Sequence, residues 1–278
     1  MLLYRTEMPR LIPVLVIAGI CLVRTNAFAL VGIDDYTVLM LHFNGDDGST
    51  EFGDSSFKDH TVTTFGSAQV DAGQKKLGTG SAYFDGNSGY LSIPDSADWD
   101  LNNGDFTIDF WVRFNGFNIQ SNPIIGQFEN PQNSWLVDYN KNTGKFYFWD
   151  YESSALITQY YYYSVGGTDF KVNTWYHIAI VRDGSNCYFF ENGISQPVGV
   201  DFAWGTSKNL SGNLYLGFRT DINNYLSGWL DELRVSKGVA RWSSNFSPPT
   251  TEYEPIPEPQ TLILCSLGLL GMILKKIS

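Results

Sequence analysis

The acidic residue with the clearest chemical consequence is Asp231, in the segment GWLDELRVS near the end of the chain. If this segment is a β-strand, its side chains alternate between two faces, and Asp231 shares a face with the apolar Leu233 and Val235. A carboxylate on an inward face costs on the order of several kcal/mol unless a hydrogen bond, a cation or a metal compensates it. The sequence therefore predicts a partner for Asp231: hydrogen-bond donors, a cation such as an arginine, or a metal ion.

A second group of polar side chains follows the first predicted strand, residues 38–43, in the loop NGDDG at 44–48, with Asp54 close behind. Calcium binds about six to eight oxygen ligands, and a turn rich in Asn, Asp and Gly offers both side-chain and carbonyl oxygens. The alternative is that Asp46 and Asp47 cap an ordinary turn. The loop thus offers oxygen atoms that suit a divalent cation, with turn formation as the competing explanation.

Aromatic side chains are concentrated in the middle of the chain, in FYFWDY at 146–151 and YYYY at 160–163. In strands these rings lie on both faces, and because one face of each sheet serves the core, some rings should be exposed. Exposed rings beside Asp, Asn and Gln can stack on sugar faces while the polar groups bind hydroxyls. The predicted ligand-binding residues are Trp149, Tyr151, Tyr161 and Tyr163. The alternative is that the tyrosines pack against cross-strand neighbours.

The elements that must position these side chains are strands. Aromatic residues make up 15% of the chain, glycine is frequent, and no helical period is present, which excludes a helical bundle. Residues 106–114, FTIDFWVRF, alternate between apolar and mostly polar positions, as a strand with one buried face does. Many such strands in about 220 residues fit two antiparallel sheets packed face to face, a sandwich or jelly roll with one core.

Charge and cysteine content exclude other classes. The chain has 18 basic and 29 acidic residues and a formal net charge of −11, so nucleic acid is not an expected partner. Cys187 and Cys265 are the cysteines beyond residue 29, and Cys265 lies in the terminal apolar run. An internal disulfide in the body is therefore excluded, and its core or a metal must hold the fold.

Both ends of the chain have the pattern of targeting segments. Residues 1–29 contain an apolar run at 11–23 and end in Ala-Phe-Ala, which predicts a cleaved signal peptide with a mature start at Leu30. A lipoprotein with Cys21 attached to lipid is the alternative.

At the other end of the chain, residues 250–260 form a proline-rich linker after the folded domain at 30–249. Residues 261–278 are predicted to form a C-terminal apolar helix: the apolar run at 261–274 is closed by Lys275 and Lys276 and is short for a membrane span.

Five segments together resemble a known family: LMLHFNGDDGSTEFGDSS, GTGSAYFDGNSGYLSIP, GDFTIDFWVRF, WYHIAIVRDGSNCYFFENG and GWLDELRVSKGVARWSSNFSPP. In this order they look like the laminin-G-like jelly roll of the concanavalin A-like lectin and glucanase superfamily. The resemblance implies an all-β sandwich. It leaves function open, because this fold serves lectins, adhesins, glycan hydrolases and passive spacers.

The same resemblance implies a structural calcium ion held by the last strand and the loop after the first strand. Its predicted ligands here are Asn44, Asp46, Asp54 and Asp231. A hydrolase of this superfamily would carry two catalytic carboxylates in the pattern Glu-x-Asp-x-x-Glu, and no glutamate in this chain is followed two residues later by aspartate. The sequence therefore predicts a protein that is not an enzyme.

The C-terminal order of Pro257-Glu258-Pro259, an apolar run and a basic end resembles the PEP-CTERM sorting signal of Gram-negative bacteria that make exopolysaccharide. This resemblance implies export, temporary retention in the inner membrane, and processing by an exosortase. A plain C-terminal membrane anchor is the alternative.

Together the patterns predict an exported, non-catalytic module of the cell envelope or matrix that binds polysaccharide or a cell-surface component. A protein-protein adhesion or spacer module is the competing function, and an atypical glycoside hydrolase is the third.

Overall fold

The computed structural model describes residues 32–101, 104–118, 120–153, 155–163, 170–205 and 208–256. The predicted signal helix, the Pro-Glu-Pro motif and the C-terminal apolar helix lie outside these ranges. Within them the chain forms strands β1 to β18 and one short 3-10 helix at Ala97–Trp99. No helix in these ranges has the length and apolar character needed to cross a membrane.

The first sheet contains eight strands. In spatial order they are β13 (Ile194–Gln196), β12 (Asn186–Glu191), β11 (Trp175–Asp183), β6 (Phe106–Phe114), β18 (Ser227–Lys237), β4 (Ser81–Asp85) and β3 (Gln69–Asp71), with β1 (Thr37–Leu41) also paired to β18. The long strands β6 and β18 are neighbours at the centre of this sheet.

The second sheet also contains eight strands. Their order is β14 (Gly199–Phe202), β10 (Ala155–Tyr163), β9 (Lys145–Glu152), β8 (Asn133–Asn140), β7 (Asn122–Asn130), β15 (Asn213–Leu216), β5 (Tyr90–Ile93) and β2 (Thr63–Phe65). A small hairpin of β16 (Phe218–Arg219) and β17 (Asn224–Tyr225) follows β15. The predicted two-sheet antiparallel sandwich is confirmed.

The core lies between the sheets and is built by strand alternation. The apolar positions of β6 that the sequence pattern selected are all in the main core: Phe106, Ile108, Phe110, Val112 and Phe114. They face rings from β9, with ring centroids 5.3 Å apart for Phe106 and Phe148 and 6.2 Å apart for Phe110 and Phe146. Each fully buried ring contributes about 2 to 3 kcal/mol of hydrophobic free energy, so this interface holds the two sheets together.

The folded part continues beyond Pro249, the predicted boundary. Tyr253 is only 2% exposed. The backbone N–H of Ile33 donates to the carbonyl of Glu254 at 2.9 Å, and that of Ile256 donates to Ile33 at 2.8 Å. Proline excludes this segment from a regular ladder, but the residues between the prolines still pack and pair. The proline-rich composition therefore marks an extended stretch that lies on the domain, at least to Ile256, and not a free linker.

Candidate functional site

Strands β9 and β10 of the second sheet present aromatic rings on both faces. In β9 and β10 the inward rings Phe146, Phe148, Tyr160 and Tyr162 belong to the main core. The opposite set comprises Tyr147, Trp149, Tyr151, Tyr161 and Tyr163, which we call the aromatic face. Strand register places Tyr147 beside Tyr161 and Trp149 beside Gln159, so the two strands supply one continuous surface.

The rings of the aromatic face contact each other and are exposed to different extents. Trp149 and Tyr151 meet edge to face with centroids 4.9 Å apart, and Tyr161 lies 5.7 Å from Tyr147 and 6.1 Å from Tyr163. Trp149 is 5% exposed, whereas Tyr163 is 53% exposed. All four sequence-predicted aromatic residues lie on this face, but the expectation that Trp149 is exposed is wrong, because its ring packs against Phe128, Leu136 and neighbouring rings. The surface therefore combines a packed end at Trp149 with an open end at Tyr163.

A cavity of about 170 Å³ opens at the packed end of the aromatic face. Its walls include Tyr147, Trp149 and Tyr151 together with the polar side chains of Asp138, Asn140, Gln159 and Arg219. Flat apolar rings and hydrogen-bonding groups thus converge on one concave surface. This is the combination that binding sites for small polar ligands use.

Asp221 holds the guanidinium of Arg219 over the ring of Trp149. Its Nε and Nη2 donate to the two carboxylate oxygens of Asp221 at 2.8 and 2.9 Å, a bidentate pair that fixes the guanidinium plane. The guanidinium carbon lies 4.5 Å from the Trp149 ring centroid, within range of a cation-π interaction. The β16–β17 hairpin therefore positions a rigid cationic donor at the cavity edge.

Asp138 is the buried acid of the cavity. The Ser121 hydroxyl donates to its Oδ2, and Arg219 Nη1 lies 3.4 Å from the same oxygen. Its Oδ1 is buried and has no hydrogen-bond partner among the residues that the structure describes. Burial raises the pKa of Asp138 to about 6, although Ser121 and Arg219 act in the opposite direction. Near neutral pH this carboxyl is therefore close to its titration point.

Lys145 supplies a second cation at the open end. Its Nζ lies 3.5 Å from the ring centroid of Tyr161 and 5.2 Å from that of Tyr163. Strand register places Lys145 directly beside Tyr163. Both ends of the aromatic face thus carry a basic group in contact with rings.

Sequence reasoning missed the polar half of this site. Lys145 and Tyr147 lie on the outer face of β9, and the period-two pattern that selected Trp149 and Tyr151 also includes them. Arg219 comes from a hairpin that is distant in sequence, and Asp138 lies in a strand that had not been linked to the cluster. Only the register of β8 with β9, which pairs Asp138 with Tyr147, shows that they meet.

The structure places the four predicted calcium ligands as follows. Both oxygens of Asp54 accept hydrogen bonds, from Met40 and Ser56 backbone N–H groups on one side and from the Ser56 hydroxyl and His60 backbone on the other. Asn44 Oδ1 accepts from the Thr79 backbone N–H and hydroxyl. Asp46 is exposed. These hydrogen bonds do not test whether the four residues bind calcium, so the calcium site stays a prediction.

Asp231 does not share the core face of β18, and the expectation that it would is wrong. A bulge separates Asp231 from Arg234, and Glu232 adopts a left-handed backbone with φ of 49°. Leu230 and Leu233 consequently both face the core, whereas Asp231 lies opposite Trp111 on the outer face. Its Oδ2 accepts from the backbone N–H groups of Lys76 and Leu77 at 2.7 and 3.0 Å. Burial raises its pKa to about 8 despite these bonds.

The outer face of the first sheet carries a buried polar network. Arg234 donates from Nε to Asp109 at 2.9 Å, and the Tyr253 hydroxyl donates to the other oxygen of Asp109 at 2.6 Å. Residues 239–256, which we call the covering segment, lie over this network and bring Tyr253 and Trp242 onto it. Burial alone would raise the pKa of Asp109, but Arg234, His177 and Tyr253 lower it to about 2. Asp109 is therefore paired within the fold, whereas Arg234 Nη2 and Asp231 Oδ1 on the same face have no hydrogen-bond partner among the described residues.

Comparison with known proteins was made by sequence family and by structure. The model described as "Concanavalin A-like lectin/glucanases superfamily" matches residues 85–243. No curated protein matches the chain.

Similar solved structures include domain 4 of AbnA, a GH43 extracellular arabinanase from Geobacillus stearothermophilus, in complex with arabinotriose. It is 18% identical, with 73% of this chain and 93% of that chain covered and a TM-score of 0.54. The binding domain of botulinum neurotoxin DC in complex with rat synaptotagmin II is 13% identical, with coverage of 75% and 50% and a TM-score of 0.55. The same binding domain in complex with SialylT is 14% identical, with coverage of 75% and 49% and a TM-score of 0.52.

These similarities show a shared fold. At 13% to 18% identity they do not transfer a binding site from one chain to another. This chain spans about half the length of the two neurotoxin chains it matches.

Proposed function

The chain belongs to the concanavalin A-like lectin/glucanases superfamily, and we propose that it is a non-catalytic module that binds polysaccharide through the aromatic face of its second sheet. One observation carries the proposal. Three aromatic side chains, Tyr147, Trp149 and Tyr151, and four polar side chains line a cavity of about 170 Å³ on the outer side of the second sheet, and Tyr161 and Tyr163 continue the aromatic face beyond it.

The chemistry of this surface suits a sugar chain. Pyranose and furanose rings have apolar faces that stack on flat aromatic side chains, and hydroxyls at their edges that need donors and acceptors. Arg219 is a donor at the cavity edge, and the amide groups of Asn140 and Gln159 in its wall can both donate and accept. The open end at Tyr161 and Tyr163 extends the surface beyond the cavity, so we expect more than one sugar unit to be bound.

The arrangement of acids favours binding over hydrolysis. Glycosidases flank the scissile bond with two carboxyl groups, about 5 to 10 Å apart, that act as acid and as base or nucleophile. Among the described residues Asp138 is the one acid that lines the cavity, and Asp221 is occupied by Arg219. The proposal therefore includes no catalytic residue.

The two similar binding domains supply a secondary argument. The arabinanase domain is described in complex with arabinotriose, and the neurotoxin domain in complex with SialylT. These ligands belong to those proteins, but they are compatible with the surface described here. They support a polysaccharide or cell-surface glycoconjugate as the ligand class to test first.

We propose further that the protein acts outside the cytoplasm, in the envelope or matrix of a Gram-negative cell, after signal cleavage before Leu30 and exosortase processing near Pro257 to Pro259. The segments that carry this proposal lie outside the described residues. Cell fractionation with N-terminal sequencing of the mature protein tests it. A product that retains residues 1–29 in the cytoplasm would contradict it.

The decisive experiment for glycan binding uses the purified full chain on an array of acidic and neutral polysaccharides, with and without calcium. We expect retention on at least one polysaccharide and a loss of retention in Tyr161→Ala. Absence of retention on every polysaccharide, together with capture of an envelope protein that Tyr161→Ala does not weaken, would replace glycan binding with protein-protein adhesion.

A further inference from the structure

A second cluster of chemically active side chains lies at the edge of the first sheet, away from the aromatic face. His42 follows β1, Glu232 lies at the bulge of β18, and Glu252 lies in the covering segment. His42 Nδ1 is 2.6 Å from Glu232 Oε1 and 3.9 Å from Glu252 Oε1. One ligand atom from each residue lies within 4.8 Å of the others. We propose that His42, Glu232 and Glu252 bind one zinc-type divalent metal ion.

The donor set defines the class of metal. One imidazole nitrogen and two carboxylate oxygens are typical of zinc sites with three protein ligands and one open position. Calcium prefers an all-oxygen set of higher coordination number. The imidazole therefore separates this cluster from the predicted calcium ligands Asn44 and Asp231, which lie close to it in sequence.

The distances are close to those that a metal needs. Tetrahedral coordination with bonds of about 2.0 to 2.2 Å separates ligand atoms by about 3.3 Å. The His42–Glu232 distance of 2.6 Å must widen, and the His42–Glu252 distance of 3.9 Å must shorten. Both changes are within the reach of small side-chain rotations, because Glu252 is 30% exposed and His42 is 16% exposed.

Charge at the cluster favours a cation. The Glu232 side chain is fully buried, and two carboxylates share one imidazole. In the described part of the chain, the ion pairs of these two carboxylates are with His42 alone, and no lysine or arginine nitrogen lies within 4 Å of either. A single imidazolium neutralises one of the two negative charges, whereas a divalent ion neutralises both. Buried charge that is left unbalanced is costly, so the fold gains from such an ion.

Neighbouring groups hold both carboxylates in place. Glu232 Oε2 accepts from the backbone N–H of Tyr253 at 3.0 Å. Asn44 Nδ2 donates to Glu252 Oε1. Hydrogen bonds of this kind orient metal-binding carboxylates and tune their affinity. The three proposed ligands come from distant parts of the chain, so the site exists only after the covering segment has docked.

An access route is present. A cavity of about 270 Å³ is lined by His42, Asn44, Glu252 and Glu254 and opens beside the cluster. It has room for water as a fourth ligand and for entry of the ion from solvent. A metal site needs such a path as well as the correct ligands.

The test is a titration of the chelator-treated full chain with ZnCl₂, followed by calorimetry and by thermal unfolding. We expect about one equivalent of saturable binding and a rise in the melting temperature. Glu252→Gln should weaken zinc binding at least about tenfold and remove the rise, and because Glu252 is partly exposed, this variant should still fold. Glu254→Gln is the matched control, since it lines the same cavity without belonging to the cluster, and it should bind like wild type.

Cobalt(II) gives a second readout, because visible absorption bands report the ligands directly. Bands that appear in wild type and vanish in Glu252→Gln would support the site. The proposal is overturned if zinc shows no saturable binding, if Glu252→Gln binds as tightly as wild type, or if calcium saturates the cluster while zinc does not.

Discussion

The outer faces of the two sheets use the same residue types in opposite ways. On the first sheet, Asp109 bonds to Arg234 and to Tyr253 of the covering segment, and both charged side chains are fully buried. On the second sheet, the described chain leaves the aromatic face open at Tyr163, which is 53% exposed, and one oxygen of Asp138 has no partner. Polar groups stabilise the covered face where they pair with each other, and on the second sheet they line a cavity beside exposed rings.

The largest expected effect comes from breaking the network on the covered face. Asp109→Ala leaves Arg234 buried without its carboxylate, which should lower the free energy of unfolding by about 3 to 5 kcal/mol. Urea denaturation measures it. Asp109→Ala combined with Arg234→Met should recover much of the loss, because no unpaired charge remains. A cost of Asp109→Ala below about 1 kcal/mol would show that the network is not structural.

Next in size is the pH dependence that comes from Asp138 on the open face. Its pKa is about 6 in the folded state, against the ordinary aspartate value of 3.8. Since the folded state favours the protonated form, this group's contribution to stability is present below about pH 4 and is lost as the pH rises through about 6. Relative to Asp138→Asn, the wild-type protein should therefore lose on the order of 2 to 3 kcal/mol between about pH 4 and pH 7.5.

Denaturation of the two proteins at both pH values checks this prediction. Asp221→Asn serves as a control, because Asp221 is more exposed and its loss should not reproduce the pH dependence. If wild type and Asp138→Asn have parallel pH profiles, the carboxyl is not perturbed by burial.

A smaller effect on stability is expected from one added methyl group that clashes with the covering segment. Gly193 has φ of 77°, and a Cβ there would lie 2.0 Å from the carbonyl oxygen of Phe246. Gly184 has φ of 59° with no atom within 4 Å of such a Cβ, so it is the matched control. In both alanine variants the left-handed backbone should lower the free energy of unfolding by about 1 kcal/mol. Gly193→Ala should lower it by roughly 1 to 2 kcal/mol more, because the added methyl group meets the Phe246 carbonyl.

Hydrogen exchange over residues 239–256 measures whether the segment detaches. Faster exchange in Gly193→Ala but not in Gly184→Ala is expected. Equal exchange in both variants would mean that the segment does not depend on this close approach. Binding to the aromatic face should be unchanged in either case, because the two faces lie on opposite sheets.

The smallest effect should appear in ligand affinity. Tyr163→Ala removes an open aromatic ring from the second sheet and should weaken polysaccharide binding by about tenfold, or roughly 1.4 kcal/mol. Tyr36→Ala is a closely matched control, since Tyr36 is 51% exposed and lies beside the first sheet. Titration of the retained polysaccharide measures both. Equal weakening in the two variants would remove the distinction between the faces.

The fold was predictable because its signals are local and repeated. The alternation in β6 selected the core residues correctly, and the rings of β9 and β10 divide between core and surface as the period-two pattern requires. Asp231 was misplaced because one bulge with a left-handed Glu232 shifts the pattern by one residue. The residues Asp-Glu-Leu-Arg do not indicate a left-handed backbone at Glu232, so the bulge could not be predicted.

The polar parts of both sites depend on contacts between distant segments. Arg219 reaches Trp149 from a hairpin that follows β15, and Glu252 reaches His42 from a segment whose prolines predict a spacer. Such contacts follow from tertiary docking and not from local pattern. The sequence therefore identified the aromatic residues, but it identified neither their charged neighbours nor the histidine-glutamate cluster.

The most direct test of the central claim is hydrogen exchange of the full chain with and without its retained polysaccharide. Bound polysaccharide should slow exchange in the segments Asn133–Asn140, Lys145–Glu152 and Ala155–Tyr163 and leave residues 239–256 unchanged. Protection confined to the covering segment, or spread equally over both sheets, would contradict the assignment of the aromatic face as the binding surface.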